Sequence, residues 1–323
     1  MKTAVVMLAG GIRSGTFRSQ IGFPIAGLPL EAECTLLQGW LRLIAATRSL
    51  EGADLLVVCS NERDRAWFAA ESRRLPTDSM APKVVVDPRP HRGVAGTLAD
   101  LREEFGEADS MLVIESSSLP PTSLDRFFEP GPTGQSEASA RIGVGAENRW
   151  LGVYRLETHL LQEVTPLGYV DLKEQFLTKM LLKGHRMEAV ECGDTAVQIA
   201  DRRNYLRAVR IWRSRRGLTA ERSDRVSGFS VVCPGVELMP GSHVADSCVL
   251  PGAVLGEGAV VARSVIGPMI RVPRGAVIVD GVLADPGVVV QANREDSQFE
   301  RAADPRWPEQ ASTDLARSWG VQS

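Results

Sequence analysis

The residues best suited to chemistry follow three short apolar runs of the sequence. Gly10 and Gly11 end the first run, and His91 and Arg92 come after the second, where they would face a phosphate or form a solvated loop pair. The third run is followed by the serines Ser116–Ser118. These serines make a poor set of nucleophiles, because no histidine or lysine stands beside them in the sequence to act as a base.

The five cysteines have no spacing that would bind a metal. They form no CxxC pair and no metal-ligand pattern with the four histidines. Most stand in apolar segments, which is typical of buried free thiols in a reducing compartment. The sequence therefore predicts a cytoplasmic protein with five thiols that form no disulfide, Cys34, Cys59, Cys192, Cys233 and Cys248.

The composition excludes several classes of function. The net charge of −3 is unlike the basic surface that nucleic-acid binding requires. No apolar run approaches the ~20 residues that cross a bilayer, and the first run leads into a glycine turn rather than a signal-peptide cleavage site. With 323 residues, of which 44% are hydrophobic, the chain is long enough for two globular domains. We expect neither a nucleic-acid nor a membrane partner.

The elements that position the candidate residues alternate along the first two-thirds of the chain. Four strand-like runs are separated by segments with apolar residues at helical spacing: Thr3–Ala9, Asp54–Cys59, Lys83–Val86 and Ser110–Ile114. Such alternation predicts βαβ units and a mainly parallel, doubly wound α/β sheet. Ligands of these sheets bind beyond the carboxyl ends of the strands, so the loops after Leu8, Val86 and Ile114 form the predicted site.

A different pattern begins near Val226. Short β-branched runs alternate there with turn pairs such as Pro234-Gly235 and Pro251-Gly252. The tetrads SVVC, SCVL, SVIG and DGVL recur at spacings of 17, 17 and 16, from Ser230, Ser247, Ser264 and Asp280. Nested repeats are typical of a solenoid whose coils bury their faces on their neighbours. The pattern predicts a triangular parallel β-helix, with a β-sandwich as the alternative.

These patterns divide the chain into four predicted segments. They are an α/β domain over 1–212, a linker over 213–225, a β-helix over 226–290 and a polar tail over 291–323. The tail would cap the open end of the β-helix or stay loose. The stretch from Arg202 to Arg216 is rich in arginine, which fits either a helix with a solvated face or an anion site.

Five segments carry a resemblance to a known family. They are LAGG from Leu8, FPIAGLPL from Phe23, RGVAGTL from Arg92, WLGVYRL from Trp150 and IADRRNYLRA from Ile199. In this order they resemble motifs of the sugar-1-phosphate nucleotidyltransferases that end in a hexapeptide β-helix, such as mannose-1-phosphate guanylyltransferases and glucose-1-phosphate adenylyltransferases. The resemblance covers about residues 3 to 290. It implies a doubly wound, Rossmann-like nucleotidyltransferase domain followed by a short left-handed parallel β-helix.

The resemblance also implies a nucleotide site. It makes LAGG a phosphate loop and places RGVAGTL against the nucleotide base. Backbone N–H groups at such turns and at helix N-termini bind phosphate without help from side chains. The expected nucleotide-binding residues are Leu8, Ala9, Gly10, Gly11, Arg13, Gly93, Ala95 and Gly96.

The sequence departs from the family where the reaction needs charge. In that reaction a sugar phosphate attacks a nucleoside triphosphate and pyrophosphate leaves, with Mg²⁺ and basic groups neutralising the phosphates. Four family positions carry other residues here: Phe17 replaces the loop arginine, Gln20 the phosphate lysine, and Ser117 and Gln198 the two metal aspartates. Glu115 is the nearest carboxylate to the first metal position. The sugar-binding stretch before Trp150 is about half the family's length and lacks its Glu-Lys-Pro loop.

Three functions fit these observations. The favoured one is a protein with lost or weak catalysis that binds a nucleotide or sugar nucleotide without a metal cofactor. It would be a regulatory or scaffolding subunit, joined through its β-helix to further copies or to an active paralogue. The second is an active Mg²⁺-dependent enzyme whose metal ligands are displaced to Asp87, Asp109, Asp194 or Asp201. The third is a hexapeptide acyltransferase with His243 as general base.

Overall fold

The computed structural model describes residues 2–10, 16–73, 82–130, 138–192 and 195–284. The chain divides into two compact units. The described parts of the first lie within 2–10 and 40–196, and those of the second within 16–39 and 197–284. The predicted tail 291–323 and the last residues of the predicted β-helix lie outside the described residues. No described helix is long and apolar enough to cross a bilayer.

The part of the chain before residue 216 contains the longer elements. Its described strands are β1 Thr3–Leu8, β2 Pro29–Glu31, β3 Cys34–Thr35, β4 Leu55–Cys59, β5 Lys83–Val86, β6 Ser110–Glu115, β7 Ala140–Val144, β8 Trp150–Glu157 and β9 Met187–Glu191. Its described α-helices are α1 Thr16–Ile21, α2 Leu36–Ala46, α3 Glu62–Ser72, α4 Gly93–Asp100, α5 Thr178–Leu182 and α6 Arg202–Arg215. A π-helical turn over Leu172–Leu177 leads into α5.

The first unit is built on a mixed sheet of seven strands in the order β5-β4-β1-β6-β8-β7-β9. The pairs β5–β4, β4–β1 and β1–β6 are parallel, as the sequence predicts. Strand β8 is antiparallel to both β6 and β7, and β7 is parallel to β9. The sheet therefore has a parallel core with one reversed strand, and the expectation of a mainly parallel sheet holds for its first four strands.

Burial explains why these runs form central strands. Successive side chains of a strand point to opposite faces of the sheet. Val5, Val6 and Met7 are all fully buried, so both faces of β1 are covered. Continuous apolar runs are typical of strands in this position, and β4 and β6 have the same character.

Helix α4 begins earlier than its apolar spacing predicts. The spacing indicates a helix from Leu98 to Phe105, whereas α4 runs over Gly93–Asp100 and a 3₁₀ turn follows over Arg102–Phe105. The two glycines at 93 and 96 mask the apolar pattern of the first turn, since they contribute no side chain. This shift places the predicted base-binding glycines inside a helix rather than in a loop ahead of it.

The part of the second unit after residue 216 contains twelve short described strands. They are β10 Glu221–Arg222, β11 Val226–Gly228, β12 Val231–Val232, β13 Glu237–Leu238, β14 His243–Ala245, β15 Cys248–Val249, β16 Val254–Leu255, β17 Val260–Ala262, β18 Val265–Ile266, β19 Arg271–Val272, β20 Val277–Val279 and β21 Val282–Leu283. From β11 onward they stack into three parallel sheets, β11-β14-β17-β20, β12-β15-β18-β21 and β13-β16-β19. Successive strands along the chain join the three sheets in rotation, and this arrangement fits the predicted β-helix.

A ladder of buried serines fixes the register of these coils. The backbone N–H of Ser247 donates to Ser230 Oγ at 3.2 Å, and that of Ser264 donates to Ser247 Oγ at 2.9 Å. The next rung is Gly281, whose N–H donates to Ser264 Oγ at 3.0 Å. The sequence pattern aligned Asp280 with these serines at a spacing of 16, which is wrong by one residue because the ladder requires a backbone donor 17 residues on.

Asp280 instead belongs to a corner of the coil. Asp246, Arg263 and Asp280 all have positive φ angles, of 44°, 47° and 56°. Positive φ is unusual for residues other than glycine. The Arg263 guanidinium donates to both carboxylate oxygens of Asp280, at 3.0 and 2.6 Å, so an ion pair bridges adjacent coils at this corner.

Candidate functional site

The described backbone N–H groups of the loop after β1 donate to a carbonyl of the neighbouring strand β4. The N–H groups of Ala9 and Gly10 both donate to the carbonyl of Val58, at 2.8 and 3.1 Å. A Cβ at Gly10 would lie 2.8 Å from Ser60 Cβ, so a larger residue would displace the loop after β4. Leu8 and Ala9 thus act here as the end of the strand. The predicted phosphate-binding residues Gly11 and Arg13 lie outside the described residues.

The first turn of α4 is covered by another segment of the chain. Gly93 has a φ of +74°, and a Cβ there would lie 2.7 Å from the carbonyl carbon of Val170. The N–H of Ala95 donates to the Val170 carbonyl at 3.2 Å. A Cβ at Gly96 would lie 2.8 Å from Cβ of Arg92. Gly93, Ala95 and Gly96, which the resemblance places against a nucleotide base, therefore pack against the backbone of Val170 and the Arg92 side chain.

Arg92 binds the segment that covers the first turn of α4, residues 165–170. Its buried guanidinium donates to the carbonyls of Gly168 and, at 2.8 Å, Thr165, and it pairs with Asp100 at 3.2 Å. Arg89 donates to the same carboxylate at 2.8 Å. Burial alone would raise the pKa of Asp100, but the hydrogen bonds from the two arginines outweigh burial and lower that pKa. The arginine beside His91 therefore has a structural partner within the chain.

A group of charged and aromatic side chains meets at the carboxyl end of β6. Glu115, the last residue of β6, accepts a hydrogen bond from the Tyr154 hydroxyl at 2.9 Å. The Lys173 ammonium lies 3.2 Å from the same oxygen, Oε1. That ammonium also lies over the rings of Trp150 and Tyr154, at 5.3 and 5.6 Å from the ring centroids. We call Glu115, Trp150, Tyr154 and Lys173 the Lys173 cluster.

Burial keeps the Tyr154 hydroxyl protonated. The side chain is fully buried, which raises the pKa of Tyr154 well above its ordinary value, and the charge of Glu115 and the hydrogen bond to it act in the same direction. The neutral phenol donates a hydrogen bond to the Glu115 carboxylate, which also has the Lys173 ammonium beside it.

The turn that follows Glu115 is tightly packed. Ser118 donates its N–H to the Glu115 carbonyl at 2.9 Å, and its own carbonyl accepts from the indole of Trp40 at 2.9 Å. Gly152, on β8, has a φ of +72°, and a Cβ there would overlap Ser118 Oγ and lie 3.1 Å from Glu115 Cβ. Strand β8 therefore needs glycine at this point for Tyr154 to reach Glu115.

A divalent metal does not fit the described donors of this cluster. The family position for the first metal aspartate carries Ser117, a neutral oxygen that hard dications bind less well than a carboxylate. A cation bound to Glu115 would lie beside the Lys173 ammonium. Like unit charges about 4 Å apart near a protein surface repel by about 4 kcal/mol, and a dication doubles this. The described residues contain no group of three His, Cys, Asp or Glu side chains placed to bind a metal.

The carboxylates that could replace the missing ligands have other partners. Asp87 accepts from the N–H of Arg89 at 3.1 Å and from the Thr97 hydroxyl at 3.0 Å. Asp109 accepts from the N–H of Lys2 at 2.8 Å, so it lies at the amino-terminal edge of the sheet, opposite the predicted site. Asp194 lies outside the described residues.

The remaining predicted positions belong to the second unit. Phe17 is buried in α1, with its ring 6.1 Å from that of Tyr205, and Gln20 lies exposed on the same helix. Gln198 is exposed. Asp201 caps α6, where its carboxylate accepts from the N–H of Asn204 at 2.7 Å. In place of the family's loop arginine, the chain thus has a core aromatic residue.

His243 has a hydrogen-bonding partner at each ring nitrogen. Nδ1 lies 3.2 Å from the carbonyl of Asp224 and Nε2 lies 3.0 Å from Ser227 Oγ. The carbonyl can only accept, so Nδ1 carries a proton, and in a neutral imidazole Nε2 then accepts from the serine hydroxyl. The lone pair that an acyltransferase base would use is therefore already engaged within the coil.

Lys173 and Tyr154 are the site residues that the sequence patterns missed. Tyr154 reaches Glu115 because β8 runs antiparallel to β6, with Val113 opposite Tyr154. A prediction of parallel strands gives no reason to bring them together. Lys173 stands in a π-helical turn, whose spacing differs from the helical period used to assign faces.

Comparison with known proteins concerns the fold. No family profile matches the sequence, and no curated protein matches it. A solved structure named "Putative Glucose-1-Phosphate Thymidylyltransferase", from Bacillus anthracis in complex with a sucrose, is 14% identical, with a TM-score of 0.50 over 64% of this chain and 94% of that chain. HddC from Yersinia pseudotuberculosis is 16% identical, with a TM-score of 0.48 over 65% and 98% of the two chains. Over about two-thirds of its length, the chain therefore has the nucleotidyltransferase fold.

Proposed function

We propose that this protein is a nucleotidyltransferase-like subunit with lost or weak catalysis, which binds a nucleotide or sugar nucleotide without a divalent metal. The observation that carries the proposal is the Lys173 cluster. Where the family places metal-binding carboxylates, this chain has a serine at 117 and a glutamate paired with a lysine at 3.2 Å. The fold supports nucleotide binding by analogy alone, because function depends on the residues of a site and not on the fold that carries it.

The role we propose is regulatory or scaffolding. The three parallel sheets of the second unit supply an extended surface, and we propose that they form a left-handed β-helix of hexapeptide repeats. Through it the protein would associate with further copies or with an active paralogue. A location in the cytoplasm is supported by the five cysteines, which form no disulfide and of which four are buried.

A thermal-shift screen of nucleoside triphosphates and sugar nucleotides, each with Mg²⁺ and with EDTA, tests the proposal. A ligand at 100 times its dissociation constant adds ~2.7 kcal/mol of stability, which raises the melting midpoint by a few degrees. We expect at least one ligand to give an equal shift in both buffers. A shift that requires Mg²⁺ would support an active enzyme instead, and the absence of any shift would refute nucleotide binding.

A further inference from the structure

Lys173 is held in one place by its own backbone and by aromatic rings. The carboxylate of Asp171 accepts the N–H groups of Lys173 and Glu174, both at 2.8 Å, and so caps the π-helical turn. The Lys173 ammonium lies over the rings of Trp150 and Tyr154, 5.3 and 5.6 Å from their centroids. Aromatic faces stabilise a cation without accepting a strong hydrogen bond.

The ammonium retains capacity to bind an anion. It carries three N–H donors, and Glu115 Oε1 lies 3.2 Å from the ammonium nitrogen as its ion-pair partner. About a quarter of the Lys173 side chain is exposed, 26%, at the edge of the sheet where β6 ends. A cation fixed at the carboxyl end of a parallel strand is well placed for a phosphate group, because ligands of such sheets bind there.

We propose that Lys173 is the resident cation of this site: its ammonium takes the place of a divalent cation beside Glu115 and binds a phosphate group of the ligand. The inference rests on the proposed function for the identity of the ligand, a nucleoside polyphosphate or a sugar phosphate. The exclusion of a metal from Glu115 does not depend on that function. The two parts are therefore tested separately.

A manganese titration followed by electron paramagnetic resonance tests the exclusion of the metal. Mn²⁺ alone is added to the wild type, to Lys173→Met, to Lys173→Arg and to the double variant Lys173→Met/Ser117→Asp. The double variant has carboxylates at positions 115 and 117 and lacks the lysine cation. We expect it to bind Mn²⁺ at least about tenfold more tightly than the wild type, which is the effect of one charge-assisted contact. Lys173→Arg keeps the charge and should behave as the wild type.

Two results would overturn this part. One is a wild type that binds Mn²⁺ as tightly as the double variant, and the other is a folded double variant that gains no affinity. Circular dichroism and melting curves establish that each variant is folded. If Lys173→Met fails to fold, comparison of Ser117→Asp alone with the wild type still decides, because an added carboxylate beside a resident ammonium should not create a metal site.

Calorimetric titration in EDTA tests phosphate binding, with inorganic pyrophosphate and glucose 1-phosphate as probes. Lys179→Met is the matched control, since it removes a lysine from the adjoining helix α5 whose partner is Glu163. We expect Lys173→Met to weaken at least one probe about tenfold, with Lys179→Met within about twofold of the wild type. The affected probe distinguishes a nucleotide phosphate from a sugar phosphate.

Equal affinities in the wild type and Lys173→Met would overturn the phosphate-binding role, as would a wild type that binds neither probe. In the second case the thermal-shift screen of nucleotides and sugar nucleotides still decides whether the proposed function holds. The manganese titration would still show whether Lys173 keeps a metal from Glu115, so the failures of the two ideas are distinguishable.

Discussion

Replacement of Gly152 by alanine should destabilise the protein through two separable effects. The backbone at Gly152 has a φ of +72°, a conformation that costs an alanine about 1–2 kcal/mol. The new Cβ would also overlap Ser118 Oγ and lie 3.0 Å from Ser118 Cβ. Overpacking of this kind costs about 1–3 kcal/mol, so we expect a total loss of about 2–5 kcal/mol.

Two further variants separate the effects. Gly52 has a φ of +71° and open space around its Cβ direction, so Gly52→Ala should cost only the conformational term of about 1–2 kcal/mol. Ser118→Ala removes the overlapping hydroxyl. In that background Gly152→Ala should cost less than in the wild type but still more than Gly52→Ala, because contacts of 3.0 Å to Cβ of residue 118 and 3.1 Å to Glu115 Cβ remain. The difference gives a coupling of up to about 3 kcal/mol between positions 118 and 152.

The assay is urea unfolding at 25 °C followed by circular dichroism, with m-values compared across the variants. The reasoning fails if Gly152→Ala costs the same with serine and with alanine at position 118. It also fails if Gly152→Ala costs no more than Gly52→Ala. Either result would mean that β8 does not lie as close to the turn after Glu115 as the structure places it.

Two other substitutions test the serine ladder of the second unit and the ion pairs of Asp100 at the end of α4. Ser247→Ala should cost about 1–3 kcal/mol, because it leaves the buried N–H of Ser264 without an acceptor; a loss below that of an exposed serine in the same urea assay would count against the ladder. The pKa of Asp100 is lowered by its hydrogen bonds to Arg89 and Arg92 in spite of burial. The stability that these hydrogen bonds give the folded protein is therefore fully present above the unfolded-state pKa of ~3.9 and is lost as the pH falls through the folded-state pKa. Asp100→Asn should therefore destabilise at pH 7 and converge with the wild type as the pH falls below the folded pKa of Asp100; a constant difference from pH 7 to acid would contradict the assigned pairing.

Much of the fold could be predicted because the signals are local. The central strands are continuous apolar runs, and the serine tetrads of the coils recur at a nearly constant interval. The last tetrad was misaligned by one residue because Asp280 resembles the serines in polarity, whereas the ladder requires only the backbone donor of Gly281. The predicted boundaries at 212 and 226 stay predictions.

The site was less predictable because its members are distant in sequence. The family positions at Phe17 and Ser117 showed which charges were missing, but no pattern indicated what had replaced them. Glu115, Tyr154 and Lys173 meet through an antiparallel pairing and a π-helical turn. Neither feature follows from apolar periodicity, since that periodicity assigns faces and not the direction or partner of a strand.

The most direct test of the central claim is a pyrophosphate-release assay with purified protein. Each nucleoside triphosphate is combined with each of several sugar 1-phosphates in the presence of Mg²⁺, with an active nucleotidyltransferase as the positive control. Because we propose that catalysis is lost or weak, we expect release for every pair to be absent or far slower than that of the positive control. Mg²⁺-dependent release at about 1 s⁻¹ or faster, within the range of ordinary enzymes, would contradict that expectation.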